Sequence, residues 1–76
     1  MTVGEKLQKY RKDQGLSQEE LAQKLLVSRQ TISLIERGDY SPSITLALKI
    51  AGHFGVSVEE IFSYEEDETG GKERNG

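Results

Sequence analysis

Cysteine is absent from the 76 residues, and there is one proline and one histidine. Without cysteine the chain can form neither a disulfide nor a thiolate metal site. No apolar run approaches the roughly 18 residues that indicate a membrane span, and the first residues, MTVGEKLQKYRK, lack the apolar core of a signal peptide. We therefore expect one small cytoplasmic domain that binds no metal and does not associate with a membrane.

Charge is distributed unevenly along the chain. The formal net charge of -3 is unfavourable for binding nucleic acid. However, residues 1–58 contain eight lysines and arginines against six acidic residues, whereas residues 59–76 contain two against seven. The acidity therefore lies at the C-terminal end, and the body of the chain is mildly basic. This distribution permits a nucleic-acid partner but supports one only weakly, because many ordinary domains share it.

A pattern typical of helix starts occurs three times. A serine follows one apolar residue and precedes another by four positions, so that it can cap a helix while the apolar pair forms a hydrophobic staple. The copies are Leu16-Ser17 with Leu21, Val27-Ser28 with Ile32, and Val56-Ser57 with Ile61. Glu20 and Glu60 complete a capping box in two of them. Thr31 takes that position in the middle copy, either because it packs or because a glutamate there would repel a phosphate.

Glycine and proline divide the chain into helices. Gly15, Gly38 and Gly55 each follow an apolar-periodic segment and suit the left-handed position after a helix, and Pro42 prevents one continuous helix across its position. The pattern predicts five helices, at roughly 3–14, 17–25, 28–37, 43–54 and 58–63, and no segment alternates as a strand would. We expect an all-α domain over residues 1–64 and a disordered acidic tail over residues 65–76.

The second and third predicted helices are separated only by Leu26 and Val27 before the capping serine. So short a connection makes the helices cross steeply, as in a helix-turn-helix. At about 100° per residue, Ile32 and Ile35 of the third helix point inward. Its outward face carries Arg29, Gln30, Ser33, Leu34 and Arg37.

That outward face has the chemistry of a DNA reader. Arginine can bond guanine, glutamine can bond adenine, serine is adaptable, and a leucine such as Leu34 can touch a thymine methyl group. The positive end of the helix also favours phosphate. The alternative is an ordinary solvated face, which often carries the same residue types. The tight turn in front of the helix, which makes it protrude, favours DNA reading.

A long stretch of the chain closely resembles the Cro/CI-like (XRE) helix-turn-helix regulators of bacteria and their phages. The stretch reads LSQEELAQKLLVSRQTISLIERGDYSPSITLALKIAGHFGVSVEEIF, and with KLQKYRKDQG in front the match covers about residues 5–62. The motifs SQEELA, VSRQTIS-x-IERG and P-S…LALKIA are specific to that family. The resemblance implies a five-helix, lambda-repressor-like DNA-binding domain with its helix-turn-helix at helices 2 and 3. It also implies a homodimeric transcriptional regulator, most simply a repressor, that binds double-stranded DNA without a cofactor.

The resemblance implies roles for particular residues as well. Base readout is assigned to Arg29, Gln30, Ser33 and Leu34. Contact with the DNA backbone is assigned to Gln18, Ser28, Arg37, Gly38 and Tyr40. A structural ion pair that orients the reading helix is assigned to Arg11 and Glu36.

Two residues depart from the family pattern. Leu26 occupies a turn position that is usually glycine, and a left-handed backbone there costs a leucine about 1 kcal/mol or more. Alternatively, the turn is reshaped, which would alter the tilt of the reading helix. Leu34 stands where the family often has lysine or another polar residue, so one potential hydrogen-bond donor to DNA is missing.

The fourth predicted helix is apolar on more than one face. Ile44, Ala47, Leu48 and Ala51 form one face, and further apolar residues extend it. A small domain needs only one such stripe, so the excess indicates either a central helix in a monomeric core or a surface covered by a second subunit. We favour a two-fold dimer. Its expected interface consists of Leu46, Ile50, Phe54, Ile61, Phe62 and Tyr64.

The sequence offers little support for catalysis. His53 lies in the last turn of a predicted helix, where the negative helix end favours it, and no serine has a histidine and a carboxylate at a recognised spacing. The main alternative function is protein interaction, as an antitoxin or as a co-regulator that docks on another protein. The acidic residues 65–68 would then contact a basic partner, unless they only keep the chain in solution.

Overall fold

The computed structural model describes residues 2–62, and this part of the chain is helical with no strand. Its helices are α1 (Val3–Asp13), α2 (Gln18–Leu25), α3 (Arg29–Arg37), α4 (Ile44–Phe54) and α5 (Val58–Phe62). The all-α class and the five helices are confirmed, with bounds within one residue of those predicted. The proposed domain end at residue 64 and the acidic tail, 65–76, lie outside the described residues. No helix in 2–62 has the length and apolar character needed to cross a membrane.

Side-chain caps begin the helices, largely as predicted. The backbone N–H of Glu20 donates to Ser17 Oγ at 3.0 Å, and the N–H of Ser17 donates to Glu20 Oε1 at 2.8 Å, which is the expected capping box. At the start of α3, Ser28 Oγ accepts from the N–H of Thr31 at 3.1 Å and lies 3.0 Å from its hydroxyl oxygen. The third helix is therefore capped without placing a carboxylate at its N-terminus.

Three other caps differ from expectation. Thr2 forms an unpredicted capping box with Glu5, and Ser43 caps α4. The capping box predicted at Ser57 is not formed; the Glu60 N–H donates to the Ser57 carbonyl oxygen at 3.1 Å. The Ser57 hydroxyl donates to Glu60 Oε2 at 3.4 Å.

Left-handed residues close the turns between helices. Gly15, Gly38 and Gly55 have the predicted positive φ angles. Leu26 also does, at φ 62° and ψ 43°, so the turn keeps the geometry that usually requires glycine and is not reshaped. The N–H of Val27 donates to the Ala22 carbonyl at 3.0 Å across this turn. The Leu26 side chain is 83% exposed, and its burial therefore does little to offset the backbone strain.

The core lies where α1, α2, α3, α4 and α5 converge. Helix α1 packs against α3 and α5, α2 packs against α3 and α4, and α4 also packs against α5. The buried apolar cluster consists of Leu7, Leu21, Ala22, Leu25, Ile32, Ile35, Leu46, Ile50 and Ile61. Because α4 is covered by two neighbouring helices, more than one of its faces is apolar.

This packing corrects part of the predicted dimer interface. Leu46, Ile50 and Ile61 are buried within the single chain, so their assignment to a surface between subunits is wrong. Phe54 and Phe62 are half-buried against the core, and the ring centroid of Phe54 lies 5.5 Å from that of Tyr10 on α1. The last predicted interface residue, at position 64, lies outside the described part of the chain.

Candidate nucleic-acid interface

Helix α3 presents a buried face and an open face. Ile32 and Ile35 are buried in the core at 0% and 1% exposure. On the opposite side the five side chains predicted to face outward line one shallow open depression. They are Arg29, Gln30, Ser33, Leu34 and Arg37. The depression therefore brings together all four predicted base-reading residues and one predicted backbone contact.

The first turn of α3 offers free hydrogen-bond donors. Arg29 and Gln30 are exposed, and neither side chain is hydrogen-bonded to another of the residues 2–62. The first N–H groups of a helix lack partners within the helix, and the helix dipole adds positive potential there. This end of α3 can consequently bind hydrogen-bond acceptors and negative charge, which the base edges and phosphates of DNA supply.

A buried ion pair holds α3 in place. Arg11 Nε donates to Glu36 Oε2 at 2.7 Å, and Arg11 Nη2 donates to Glu36 Oε1 at 3.1 Å. The two side chains are only 8% and 4% exposed. Arg11 Nη1 also donates to the Leu16 carbonyl oxygen at 2.7 Å. The predicted pair is therefore formed, and it ties the end of α1 and the following turn to the last turn of α3.

Gln18 joins the same network. Its Nε2 donates to Glu36 Oε1 at 3.0 Å, and its side chain is half-buried. The resemblance to the family implies only a phosphate contact for Gln18, and nothing in the sequence indicates its link to Glu36. The amide carries a second N–H, so a phosphate contact is compatible with the link to Glu36. Through Gln18, the start of α2 is fixed relative to the end of α3.

The loop after α3 is shaped by its helix cap. Gly38 has φ 83°, and the Asp39 N–H donates to the Leu34 carbonyl oxygen at 2.9 Å. Tyr40 is 46% exposed. The loop thus places Gly38, Asp39 and Tyr40 directly beyond the C-terminal end of the outward face. Gly38 and Tyr40 are the two that were predicted to contact the DNA backbone.

Gly4 has a positioning role that the sequence did not indicate. A Cβ at this position would lie 2.7 Å from the carbonyl carbon of Glu36 and 2.9 Å from the carbonyl oxygen of Ile35. Helix α1 therefore touches the last turn of α3 backbone to backbone. A glycine inside a helical segment gives no such signal, because the contact depends on residues about 30 positions away.

Known proteins share this sequence and arrangement. The helix-turn-helix family model matches residues 7–61. An uncharacterised HTH-type transcriptional regulator of Methanocaldococcus jannaschii is 60% identical over 63 residues, which are 83% of this chain and 96% of the relative. The immunity repressor protein of Bacillus phage phi105 is 38% identical over 65 residues, which are 86% of this chain and 45% of the repressor.

A solved structure supports the same assignment. The N-terminal DNA-binding domain of SinR from Bacillus subtilis superposes with a TM-score of 0.74 at 33% identity, covering 86% of this chain and 96% of that domain. Fold and sequence thus agree on a DNA-binding transcriptional regulator, and the family binds double-stranded DNA. The chain belongs to the helix-turn-helix family of Cro/CI-like (XRE) transcriptional regulators.

Proposed function

We propose that the chain binds an inverted-repeat operator as a homodimer and represses transcription in the cytoplasm. The observation that carries this proposal is the open depression on α3, where two side chains with free donors, Arg29 and Gln30, stand beside Ser33 and Leu34. A helix with this face fits the major groove, where each base pair presents a distinct pattern of donors and acceptors. The likeness to a phage immunity repressor supports repression, although a relative of similar identity, BcrR of Enterococcus faecalis, is a transcriptional activator.

The proposed DNA contacts fall into two groups, those with the bases and those with the sugar-phosphate backbone. We assign base readout to Arg29, Gln30, Ser33 and Leu34. We assign the backbone contacts that fix the register of α3 to Gln18, Ser28, Arg37, Gly38 and Tyr40. These residues lie at the start of α2, at both ends of α3 and in the loop after it, and such contacts set position without reading sequence.

Exposed and half-buried apolar side chains on α4 and α5 support the proposed homodimer. Ile44 and Leu48 on α4 are 74% and 57% exposed, and Phe54 and Phe62 are half-buried at the ends of α4 and α5. A second subunit would cover such apolar side chains. A two-fold dimer would place two α3 helices about 34 Å apart in successive major grooves, so its site would be an inverted repeat.

Selection of bound duplexes from a random-sequence library at near-physiological salt tests this function. We expect enrichment of one inverted repeat whose half-site spacing matches the dimer. If no sequence is enriched and binding vanishes with modest salt, the contact is only electrostatic. Docking on a protein partner would then be the better explanation.

A pair of substitutions tests the assignment of the reading face. Arg29→Ala should weaken operator binding by about 1–3 kcal/mol and relax the preference at one base pair. Lys49→Ala removes the same charge from an exposed position on α4 and should leave the preference unchanged. A loss for Arg29→Ala that is equal on all sequences would show that Arg29 contacts phosphate only.

A further inference from the structure

The side chain of Arg37 is held against the reading helix from two sides. Its Nη1 lies 3.4 Å from Ser33 Oγ, one turn earlier in α3. Its Nε lies 3.3 Å from Asp39 Oδ2, beyond the end of the helix. Arg37 lines the depression in this position, so its guanidinium lies beside the side chains proposed to read bases, although the Arg37 side chain is 60% exposed.

Asp39 is itself held by the backbone. Gly38 takes the left-handed conformation, and the N–H of Asp39 donates to the Leu34 carbonyl oxygen at 2.9 Å. The backbone of Asp39 is therefore fixed, and its carboxylate lies next to Arg37. A carboxylate is acceptor-only and binds a guanidinium much as a phosphate does, so Asp39 competes with DNA phosphates for Arg37.

We propose that Asp39 is a specificity-determining residue, which weakens binding to non-operator DNA by holding Arg37 on α3. The inference rests on the proposed function. While Asp39 binds Arg37, the guanidinium can contact a phosphate only when α3 lies in the major groove and that phosphate is next to Arg37. Without Asp39 the guanidinium can follow any phosphate, and binding that lacks base contacts depends on such charge pairs.

The test compares Asp39→Asn with a matched control, Asp13→Asn. The Lys9–Asp13 pair on α1 has nearly the same separation, 3.4 Å, and nearly the same exposure, 60% and 63%, as the Arg37–Asp39 pair, at 60% and 62%. Both variants lose one negative charge, but Asp13 lies in the last turn of α1 and outside the depression. Any general effect of net charge on DNA binding should therefore appear in both.

Affinity is measured for the selected operator and for a scrambled duplex of equal length over a range of salt concentrations. Relative to Asp13→Asn, we expect Asp39→Asn to bind the scrambled duplex about two-fold more tightly, because an exposed ion pair is weak, with the slope of log affinity against log salt steeper by about 1. Operator affinity should change less, so discrimination falls. Equal effects of the two variants, or an equal gain on both duplexes, would overturn the role of Asp39. Failure of the proposed function is recognised separately, because wild-type protein would then show no operator preference.

Discussion

Replacing Leu26 with glycine should stabilise the protein. Leu26 holds a left-handed backbone at φ 62°, which costs a non-glycine residue about 1–2 kcal/mol. Glycine removes that strain but loses more conformational freedom on folding, which costs about 0.5–1 kcal/mol. The two terms leave a gain of about 0.75 kcal/mol for glycine over alanine, the residue that has a Cβ and no larger side chain.

The leucine side chain contributes little to this balance. Full burial of a leucine is worth about 1.5–3 kcal/mol, but Leu26 is 83% exposed, so only a few tenths are lost on its removal. Leu26→Gly should therefore gain about 0.5 kcal/mol over wild type, which raises the melting temperature of a domain of this size by about 2–4 °C. Leu26→Ala keeps the strain and should be slightly less stable than wild type.

Urea denaturation followed by circular dichroism, with thermal melts in parallel, measures both variants. The dependence of the unfolding free energy on urea should stay unchanged, because the surface exposed on unfolding is nearly the same. If Leu26→Ala stabilises as much as Leu26→Gly, the exposed side chain rather than the backbone is unfavourable. If Leu26→Gly is less stable than Leu26→Ala, the turn carries no left-handed strain and the reasoning fails.

Three further predictions concern the packing around α3 and the proposed dimer. Gly4→Ala should destabilise the fold by about 1–3 kcal/mol in the same denaturation assay, because its Cβ meets the backbone of α3; an unchanged midpoint would refute the close contact. Arg11→Ala should cost about 3–5 kcal/mol by leaving Glu36 buried without its partner, whereas breaking the exposed Lys9–Asp13 pair with Lys9→Ala should cost no more than about 0.5 kcal/mol. Ile44→Ser with Leu48→Ser should shift sedimentation from dimer to monomer while preserving the circular dichroism spectrum, and an unshifted dimer would place the interface elsewhere.

Helix positions could be predicted from sequence because the signals are local. A capping serine, an apolar pair four positions apart and a glycine after the last turn all act within one or two turns of the chain. The outward face of α3 was predictable for the same reason, since the helical period alone separates Ile32 and Ile35 from Arg29 and Gln30. At Leu26 the family pattern left two alternatives, a left-handed backbone or a reshaped turn, and the structure has the left-handed one.

The remaining features depend on contacts between distant segments. A wide apolar surface on α4 has the same sequence pattern whether two helices of one chain or a second subunit cover it, and for Leu46 and Ile50 the cover is intramolecular. The requirement for glycine at position 4 exists only because the last turn of α3 lies against it. The link from Gln18 to Glu36 likewise joins residues 18 positions apart, which no local pattern reveals.

The separation between the exposed reading face and the buried ion pair affects how such proteins can diverge. Arg29 and Gln30 make no side-chain hydrogen bonds within residues 2–62, and exposed substitutions of this kind usually change folding free energy by no more than about 0.5 kcal/mol. With base readout by Arg29 and Gln30, as proposed, a duplicated copy of the gene could acquire a new DNA target through single, individually tolerated mutations. Arg11 and Glu36 must instead change together or not at all. Paralogues that keep the Arg11–Glu36 pair could consequently bind different promoters in one cell while they retain the same fold.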